Sequence, residues 1–393
     1  MTMPLDGMVV VSIDQAVAAP LAARHLADLG ARVIKIERPD GGDFARGYDA
    51  AVLGEASHFV WLNRGKESVA VDLKTGQGQD ILARLLERAD VFLHNLGPGA
   101  VDRLGFGAEQ LLARHPELVI CTMSGYGSTG PYRDKRAYDL LVQSEAGLVS
   151  LTGTPDHPAK AGIPVADIAA GMYALTNILG ALMRRERFGG GAVIEVTMFD
   201  ALVEWMGHPI YVTDHTGAQP PRVGLSHPVI APYDAYPTAD GHEIVLGIQN
   251  DREWVRLATD VLRDPSLAVD PDFATNVARV RNRDKVDDVV GAAMGKLTID
   301  EAVAALDAAR IASARLNSMA DVLDHPQLAA RDRWREVQTP AGPIRALRSA
   351  VEPVGEVPLA AVPALGAHTG SVLGEIGLNA EEIRQLRDLG VIA

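Results

Sequence analysis

Short apolar segments alternate with segments of helical periodicity through the first half of this chain, and this alternation restricts the possible folds most strongly. The apolar segments have the length and composition of buried strands, and they span residues 8–13, 32–37, 91–94, 118–123 and 192–197. Segments with helical spacing lie between them, at residues 16–29, 76–88, 108–114 and 168–187. Strands that alternate with helices predict a parallel sheet covered on both faces. We therefore expect an α/β fold with a Rossmann-like large domain.

A second, smaller domain is expected because the pattern changes near residue 208. The chain has 393 residues, more than one ordinary hydrophobic core contains. We assign residues 1–207 to the large domain and the Pro-, Gly- and His-rich residues 208–232 to a linker. Residues 233–323 combine a hairpin around Asp240–Gly241 with helices, which predicts a small α+β domain. From about residue 324 the chain becomes Pro-rich and extended again.

Composition argues against several classes of partner. The formal net charge is −14, and a phosphate backbone demands a basic surface, so nucleic acid is not expected as a partner. The N-terminus lacks the pattern of a signal peptide, and no uncharged apolar run reaches membrane-spanning length. The single cysteine, Cys121, allows no intrachain disulfide. These features predict a soluble cytoplasmic protein without a membrane partner.

The motifs of the common bound cofactors are also missing from the sequence. The first strand runs into SIDQAVAAP where a dinucleotide-binding protein would have G-x-G-x-x-G, so a nicotinamide or flavin cofactor is not expected. There is no P-loop. The 11 histidines are scattered without the spacing of metal ligands, so no metal site is predicted.

One carboxylate, Asp167, stands at the start of a long apolar helix after a Gly-x-Pro turn. The positive field of a helix N-terminus stabilises an ionised carboxylate, so we expect Asp167 to be charged. A carboxylate in largely apolar surroundings is a candidate covalent nucleophile. The alternative is that Asp167 is the N-cap of the helix, a common role of aspartate. The segment 161–175 leaves both interpretations open, with the cap the commoner one.

Polar and basic residues follow several strands, at the edge where open α/β sheets bind their ligands. The segments concerned are Gln15, Arg38 and residues 71–74, 95–105, 124–132 and 135–139. Taken singly, each is as well explained by a surface loop or a turn. Taken together, they provide cations and backbone N–H groups for a large phosphorylated ligand.

The order and wording of these segments resemble the class III coenzyme A transferases, over nearly the whole chain. The matching motifs are LNRGKESVAVDLKTGQG, HNLGPGAVDRLGF, SGYGSTGPY, RAYDLLVQSEAGLVSLTG, GIPVADIAAG and PALGAHTGSVL. The resemblance implies an enzyme that moves CoA from an acyl-CoA to a small carboxylic acid, with CoA as a substrate and no permanently bound cofactor. It also implies an intertwined homodimer. In such a fold residues 324–345 would be a second linker, and residues 346–393 would return to the large domain.

The resemblance also assigns roles to individual residues. Asp167 would attack the thioester to give an acyl-aspartyl anhydride, which the CoA thiolate converts to an aspartyl-CoA thioester; the acceptor acid then reverses these steps. Gln15 and Ala16 would lie beside the thioester, with Gln15 counted as catalytic. The remaining CoA-binding residues implied by the resemblance are Arg38, Val71, Lys74, Asn95, Leu96, Gly97, Arg103, Arg136 and Tyr138.

Two alternatives to a transferase remain open at this point. The related α-methylacyl-CoA racemases have a histidine base where this chain has Tyr138, and a tyrosine is a poor proton acceptor near neutral pH. A non-catalytic CoA-binding subunit would not need Asp167. The chain also lacks the glycine run of formyl-CoA transferase, and its wording is closer to transferases of succinyl, mesaconyl or itaconyl groups. Arg222 and His227 would then bind a second carboxylate, or else be linker residues at an interface.

Overall fold

The computed structural model describes residues 3–351 and 359–393. Its strands are β1 (Val9–Ile13), β2 (Arg32–Glu37), β3 (Lys66–Ala70), β4 (Val91–His94), β5 (Val119–Ser124), β6 (Ala192–Thr197), β7 (Tyr233–Pro237), β8 (Glu243–Gly247), β9 (Ala312–Arg315), β10 (Trp334–Thr339) and β11 (Gly342–Leu347).

The first ten α-helices of the described chain are α1 (Ala18–Asp28), α2 (Ser57–Asn63), α3 (Gly76–Leu86), α4 (Ala100–Arg103), α5 (Ala108–Arg114), α6 (Asp139–Glu145), α7 (Leu148–Leu151), α8 (Val165–Phe188), α9 (Met198–Trp205) and α10 (Gly207–Thr216). They are followed by α11 (Asp251–Arg256), α12 (Asn276–Arg281), α13 (Arg283–Met294), α14 (Ile299–Ala308), α15 (Met319–Leu323), α16 (Pro326–Ala330), α17 (Thr369–Glu375) and α18 (Ala380–Asp388). Short 3-10 turns occur at Phe44–Gly47 and Pro265–Ala268, and a π-helical turn at Leu257–Val261.

The chain forms two compact units, and both are discontinuous in sequence. The larger unit comprises Met1–Leu148, Ala161–His208 and Ala330–Ala393, and the smaller comprises Val149–Lys160 and Pro209–Ala329. Two predicted boundaries are therefore wrong. Residues 149–160 were expected in the large domain, yet they belong to the smaller unit. The expected linkers also contain regular structure. Residues 208–232 include nearly all of α10, and residues 324–345 include α16, β10 and most of β11.

Six parallel strands form the sheet of the larger unit, which confirms the predicted α/β fold. Their order is β3-β2-β1-β4-β5-β6, so the chain leaves β1 first toward one edge and then, from β4, toward the other. Val10 of β1 pairs with Val33 of β2 on one side and Val91 of β4 on the other. The reversal between β1 and β4 is the point where doubly wound sheets bind ligands.

Alternating side chains of the strands build one apolar layer on each face of this sheet. Val10 belongs to a core that includes residues of α1, α8 and α9, such as Leu26 and Ile178. Its neighbour Val11 belongs to the opposite core, with residues of α3 and α18, such as Leu82. Burial on both faces explains why these strands read as continuous apolar runs in the sequence.

Helix α8 is the longest helix of the described chain, at 24 residues, and it packs closely along α1. By length and composition it is apolar enough to cross a membrane, although its uncharged run, residues 168–183, is too short to do so by itself. Its buried side, which includes Ala170 and Ile178, forms part of the core of the larger unit. The contact with α1 depends on Gly171, where a Cβ atom would lie 2.7 Å from the carbonyl oxygen of Ala18.

The smaller unit has its own three-stranded antiparallel sheet, in the order β7-β8-β9. The predicted hairpin is present, with Tyr236 of β7 opposite Ile244 of β8. The helices α11, α13 and α14 contribute to a core around the fully buried Trp254. This unit is the expected small α+β domain in architecture, although it also takes in residues 149–160.

The hairpin of β10 and β11 was not predicted, since the Pro-rich sequence suggested an extended linker. Val337 pairs with Ile344 across the hairpin, and Gln338 pairs with Pro343. Val337 is buried in a small apolar cluster with Phe59 of α2, and this burial stabilises a strand that proline alone would disfavour. In a two-stranded hairpin, proline is tolerated because both strands are edges.

Gly171→Ala should lower the free energy of unfolding by about 1–3 kcal/mol, because the new methyl group overlaps the Ala18 carbonyl and Leu21 of α1. Gly180→Ala in the same helix is the matched control: nothing lies within 4 Å of its Cβ position, so it should stabilise the protein by about 0.5–1 kcal/mol. Urea unfolding of both variants measures the difference. Equal stabilities would show that α1 and α8 do not need this close approach.

Candidate active site

The site begins at the loop that follows β1, where the sheet reverses direction. The side chain of Asn95, which follows β4, accepts a hydrogen bond from the Gln15 N–H at 2.9 Å and donates one to the Gln15 carbonyl at 2.8 Å. The two strand ends are thus tied together across the reversal point. This holds the backbone of Gln15 in one position at the carboxyl edge of the sheet.

Ala16 adopts a left-handed backbone conformation, with φ of 61°, which is unfavourable for a residue other than glycine. Its N–H donates to Asp43 Oδ1 at 3.2 Å, and the same oxygen accepts the N–H of Ala45 at 3.0 Å. The surrounding structure therefore holds a strained residue in place, as is common at functional sites. Ala16 also packs on an apolar cluster to which Ile168 of α8 contributes, so the loop and the start of α8 are neighbours.

A buried ion network lies beneath this loop. Lys35 Nζ is 2.8 Å from Asp14 Oδ1 and 2.9 Å from Asp43 Oδ2, and Lys66 Nζ is 2.6 Å from Asp14 Oδ2. All four side chains are inaccessible to solvent. Burial alone would raise the pKa of Asp14, but Lys35 and Lys66 hold it well below its usual range. Burial lowers the pKa of Lys66 to about 8, even with Asp14 beside it.

A cleft of about 470 Å³ opens at this edge of the sheet, and we call it the strand-end cleft. Six of the predicted CoA-binding or catalytic residues line it, namely Gln15, Arg38, Val71, Lys74, Leu96 and Arg103. Three of these are cations. Five acids line it as well. Lys35 binds two of them, Asp14 and Asp43, and Arg46 binds Glu37 at 2.7 Å; the other two are Asp40 and Asp72. Arg38, Lys74 and Arg103 are the groups of the cleft that can bind a phosphorylated anion.

The other six predicted residues do not line the strand-end cleft: Ala16, described above, Asp167, described below, and Asn95, Gly97, Arg136 and Tyr138. Asn95 acts on the cleft through Gln15, as described above. Gly97 lines a neighbouring cavity of about 640 Å³ instead. Arg136 and Tyr138 are exposed on the segment that leads into α6, and Tyr138 is 65% accessible. Their expected place against the ligand is therefore not reproduced in the isolated chain.

Asp167 is the third residue of α8 and not its N-cap, so the capping interpretation is wrong. The cap comes from another helix: Asp139 Oδ1 accepts the N–H groups of Ala166 at 2.8 Å and of Asp167 at 3.3 Å. The other Asp139 oxygen is held by the buried Gln143, whose side chain also accepts the N–H of Ala161. The carboxylate of Asp167 itself accepts no hydrogen bond from residues 3–351 or 359–393.

The expectation that Asp167 is fully ionised at neutral pH is also wrong for this chain. Burial, and then the negative charge of Asp139, raises the pKa of Asp167 to about 7. Asp167 is thus poised between its acid and carboxylate forms near physiological pH, which is typical of functional carboxylates.

Two members of the site, Tyr48 and Asp139, were not singled out from the sequence. Burial, followed by the charges of Asp43, Asp167 and Tyr138, raises the pKa of Tyr48. One hydroxyl is therefore within electrostatic reach of the ion network, of Asp167 and of the α6 segment. Tyr48 follows the 3-10 turn capped by Asp43. Its only signal in the sequence is an aromatic residue in the polar stretch between β2 and α2.

Arg222 and His227 have structural roles within the smaller unit. The guanidinium of Arg222 donates hydrogen bonds to the carbonyl oxygens of Ser150, Thr154 and Pro155. The ring of His227 stacks on Tyr233, with centroids 5.4 Å apart. Arg222 thus ties residues 149–160 to the rest of this unit. No group of three or more potential metal-ligating side chains occurs within the part of the chain that the structure describes.

Comparison with known proteins identifies relatives of this chain in sequence and in fold. The sequence model of CoA-transferase family III matches residues 5–369. An acetyl-CoA:oxalate CoA-transferase of Acetobacter aceti is 35% identical, over 87% of this chain and 89% of that protein. A succinate–glutarate CoA-transferase of Agrobacterium fabrum is 34% identical, over 95% of this chain and 96% of its own length. A solved CAIB/BAIF family protein from Brucella suis is 34% identical, with a TM-score of 0.85 over 96% of this chain and 100% of that one.

The carboxyl group of Asp167 should titrate with a midpoint near pH 7, because burial and Asp139 disfavour its charged form. Infrared difference spectra between the wild type and Asp167→Asn, recorded from pH 4 to pH 9, isolate this group. Asp139→Asn keeps an oxygen for the helix cap but removes the charge, so the midpoint should move to lower pH. Asp134→Asn removes an exposed carboxylate and should leave it unchanged. A wild-type midpoint near pH 4 would contradict this assignment.

Proposed function

Because the chain belongs to CoA-transferase family III, and is therefore a CoA-transferase, we propose that Asp167 is the nucleophile that carries CoA from a dicarboxylyl-CoA donor to a free carboxylic acid. The observation that supports this most strongly is the division of labour at the start of α8. Asp139 caps the helix, so the carboxylate of Asp167 is not needed for the fold. It is left without a hydrogen-bonding partner in the described chain, close to the loop of Gln15 and Ala16.

The strand-end cleft is the proposed site of the nucleotide and diphosphate of CoA. Arg38, Lys74 and Arg103 supply the positive charge. Gln15 lines the same cleft and precedes Ala16 in the chain. A thioester that leaves the cleft past Gln15 would therefore approach the start of α8, where Asp167 stands.

The proposed reaction exchanges acyl groups without water or redox chemistry. A carboxylate oxygen of Asp167 attacks the donor thioester carbon, the C–S bond breaks, and the CoA thiolate leaves an acyl-aspartyl anhydride. The thiolate then attacks the Asp167 carboxyl carbon and releases the donor acid, which forms the aspartyl-CoA thioester. The acceptor carboxylate repeats the two steps in reverse order, and the free Asp167 carboxylate is restored.

Protonation of Asp167 controls the first step, since only the carboxylate is a nucleophile. With a pKa near 7, a substantial fraction of the free protein carries the neutral acid at physiological pH. The raised pKa also makes the carboxylate more basic than an exposed aspartate and hence a stronger nucleophile. A cationic or dipolar group of the bound substrate or partner chain near Asp167 would shift it toward the charged form.

Dicarboxylic acids are the proposed substrate class. One of the two relatives described above is named for succinate and glutarate, and the other for acetyl-CoA and oxalate. All of these acids except acetate carry two carboxyl groups. Of the two roles that the sequence left open for Arg222, binding a second carboxylate gains no support, because its guanidinium binds three backbone carbonyls. The selection of a second carboxyl group must therefore depend on other residues of the site.

We also propose the homodimer that the resemblance implies. Three large side chains at the α6 segment, Tyr138, Leu140 and Leu141, are exposed in the single chain, at 65%, 46% and 47%. A partner chain over this segment would bury them and would bring Tyr138 and Arg136 into an enclosed site. The α-proton transfer of a racemase finds no support here, since the position of its histidine base is held by Tyr138.

The nucleophile is tested by following oxygen from substrate to enzyme. A single turnover with succinyl-CoA and ¹⁸O-labelled glutarate should place one ¹⁸O in the Asp167 carboxyl group, because the acceptor oxygen bridges the anhydride and stays on the aspartate. Mass spectrometry of the peptide that contains Asp167 measures this. Hydroxylamine added during turnover should label the same peptide, and Asp167→Asn should lose at least ~10³-fold of the activity, as is typical for loss of a covalent nucleophile.

Asp134→Asn is the matched control, since its exposed carboxylate pairs only with Arg133. It should keep both the ¹⁸O transfer and the activity. Active turnover without ¹⁸O on the Asp167 peptide would contradict covalent catalysis by this residue. Failure of a panel of donors and acids to react at all, with folded protein, would contradict the proposed substrate class.

A further inference from the structure

A second cavity of the larger unit, about 530 Å³, lies between α1, α2, α8 and the hairpin of β10 and β11. We call it the α1 cavity. It shares no lining residue with the strand-end cleft. Its lining combines apolar side chains with arginines, and within the described chain no aspartate or glutamate lines it. A cavity with this composition is of the size and kind that binds small organic molecules.

Arg24 is the residue that makes this cavity unusual. Its residue surface is only 6% exposed, and its Nε atom has no hydrogen-bonding partner in the described chain. Its Nη2 atom lies 3.0 Å from Nε2 of the His25 ring. The Asp28 carboxylate is 3.9 Å from Nε, which is too long for a hydrogen bond.

The charges around Arg24 do not balance. Asp28 is already bound in a two-pronged ion pair by Arg64, with Nε–Oδ1 and Nη2–Oδ2 distances of 3.2 and 2.8 Å. One carboxylate thus faces two guanidinium groups. The His25 ring carries no charge, because burial and then the charges of Arg24 and Arg64 lower its pKa to about 3. The Ser349 hydroxyl lies 3.0 Å from Nδ1 of the same ring.

A buried positive charge that shares its one carboxylate with a second guanidinium is costly to the folded state. Burial lowers the pKa of Arg24 to about 10, yet the group remains a cation at neutral pH. A guanidinium binds a carboxylate with two parallel hydrogen bonds, and Arg24 has donors to offer. The apolar side chains of Leu21, Trp61 and Met172 line the same cavity. A bare inorganic anion would leave these walls uncovered.

We infer that the α1 cavity binds an organic anion with a carboxylate head and an apolar body, its head on the guanidinium of Arg24 and its body along Leu21, Trp61 and Met172. Such a carboxylate has two possible sources. Ile168 lines the cavity directly after Asp167, so the head could be the far carboxyl group of a substrate. It could equally be a separate acid that does not react. The inference does not depend on the proposed nucleophile.

Binding to the complete protein tests this without catalysis. Isothermal titration calorimetry with octanoate, adipate and sulfate should show organic carboxylates binding more tightly than sulfate. Arg24→Met should weaken octanoate at least about tenfold, the effect expected for one charge-assisted hydrogen bond pair. Arg24→Lys keeps the charge, so its affinity for octanoate should lie between those of the wild type and Arg24→Met. Arg384→Met, at an exposed ion pair of α18, is the control and should bind like the wild type.

Arg24→Met should fold, since it removes an uncompensated buried charge and leaves an apolar side chain of similar length. Its melting temperature should equal or exceed that of the wild type without ligand, and octanoate should raise only the wild-type value. CoA should not displace octanoate, because the two cavities share no residues. Equal octanoate affinity in the wild type and Arg24→Met, or displacement by CoA, would overturn the inference. So would sulfate binding as tightly as octanoate.

Kinetics separate the two sources of the carboxylate. If the head belongs to the substrate, Arg24→Met raises KM for a dicarboxylic acceptor and leaves KM for a monocarboxylic acceptor of equal length unchanged. If it belongs to a separate acid, both KM values are unchanged while octanoate binding is lost.

Glu352 and Glu356 lie outside the described residues and are a rival anion. Binding only to a variant with Glu352→Gln and Glu356→Gln would assign the cavity to the chain itself and overturn the inference.

Discussion

Everything at the site depends on the buried ammonium group of Lys35, which bridges the carboxylates of Asp14 and Asp43. Asp14 is held in addition by Lys66, and Asp43 holds Ala16 in its left-handed conformation. Each partner is fully buried, so the loss of one would leave an uncompensated charge at a cost of about 3–5 kcal/mol.

The network also explains how a parallel sheet presents a reactive aspartate. The strand ends of β1 and β4 are joined by Asn95, and the loop of Ala16 packs on the same apolar cluster as Ile168 at the start of α8. From the other side, Asp139 fixes the first turn of α8 and raises the pKa of Asp167. Rigid elements thus hold Asp167, the proposed nucleophile, on two sides, while its own carboxylate accepts no hydrogen bond from the described residues.

The sequence predicted the parallel sheet well, because its central strands are buried on both faces and read as apolar runs. It did not predict β3, in which Lys66 and Ser68 are buried as members of a polar network and interrupt the apolar pattern. The β10–β11 hairpin was missed because its stability comes from packing on α2 and not from local propensity. These cases share one cause: tertiary contacts outweigh the local signal.

The same limit applies to the site. The residues of the strand-end cleft could be found from their positions after strands and from the family resemblance. The role of Asp139 could not, since it caps a helix 27 residues further along the chain. The pKa of Asp167 was misjudged because the helix field is a local property, whereas burial and the charge of Asp139 arise only in the folded chain.

The buried ion network stabilises the loop that carries the site. A double-mutant cycle on Asp14 and Lys66 measures this stabilisation most directly. Urea unfolding should show that Asp14→Asn and Lys66→Met each cost about 3–5 kcal/mol, because each leaves the buried network with one uncompensated charge. The double variant should cost less than the sum by about 1–3 kcal/mol. Single variants within about 0.5 kcal/mol of the wild type, with additive effects, would contradict the claim.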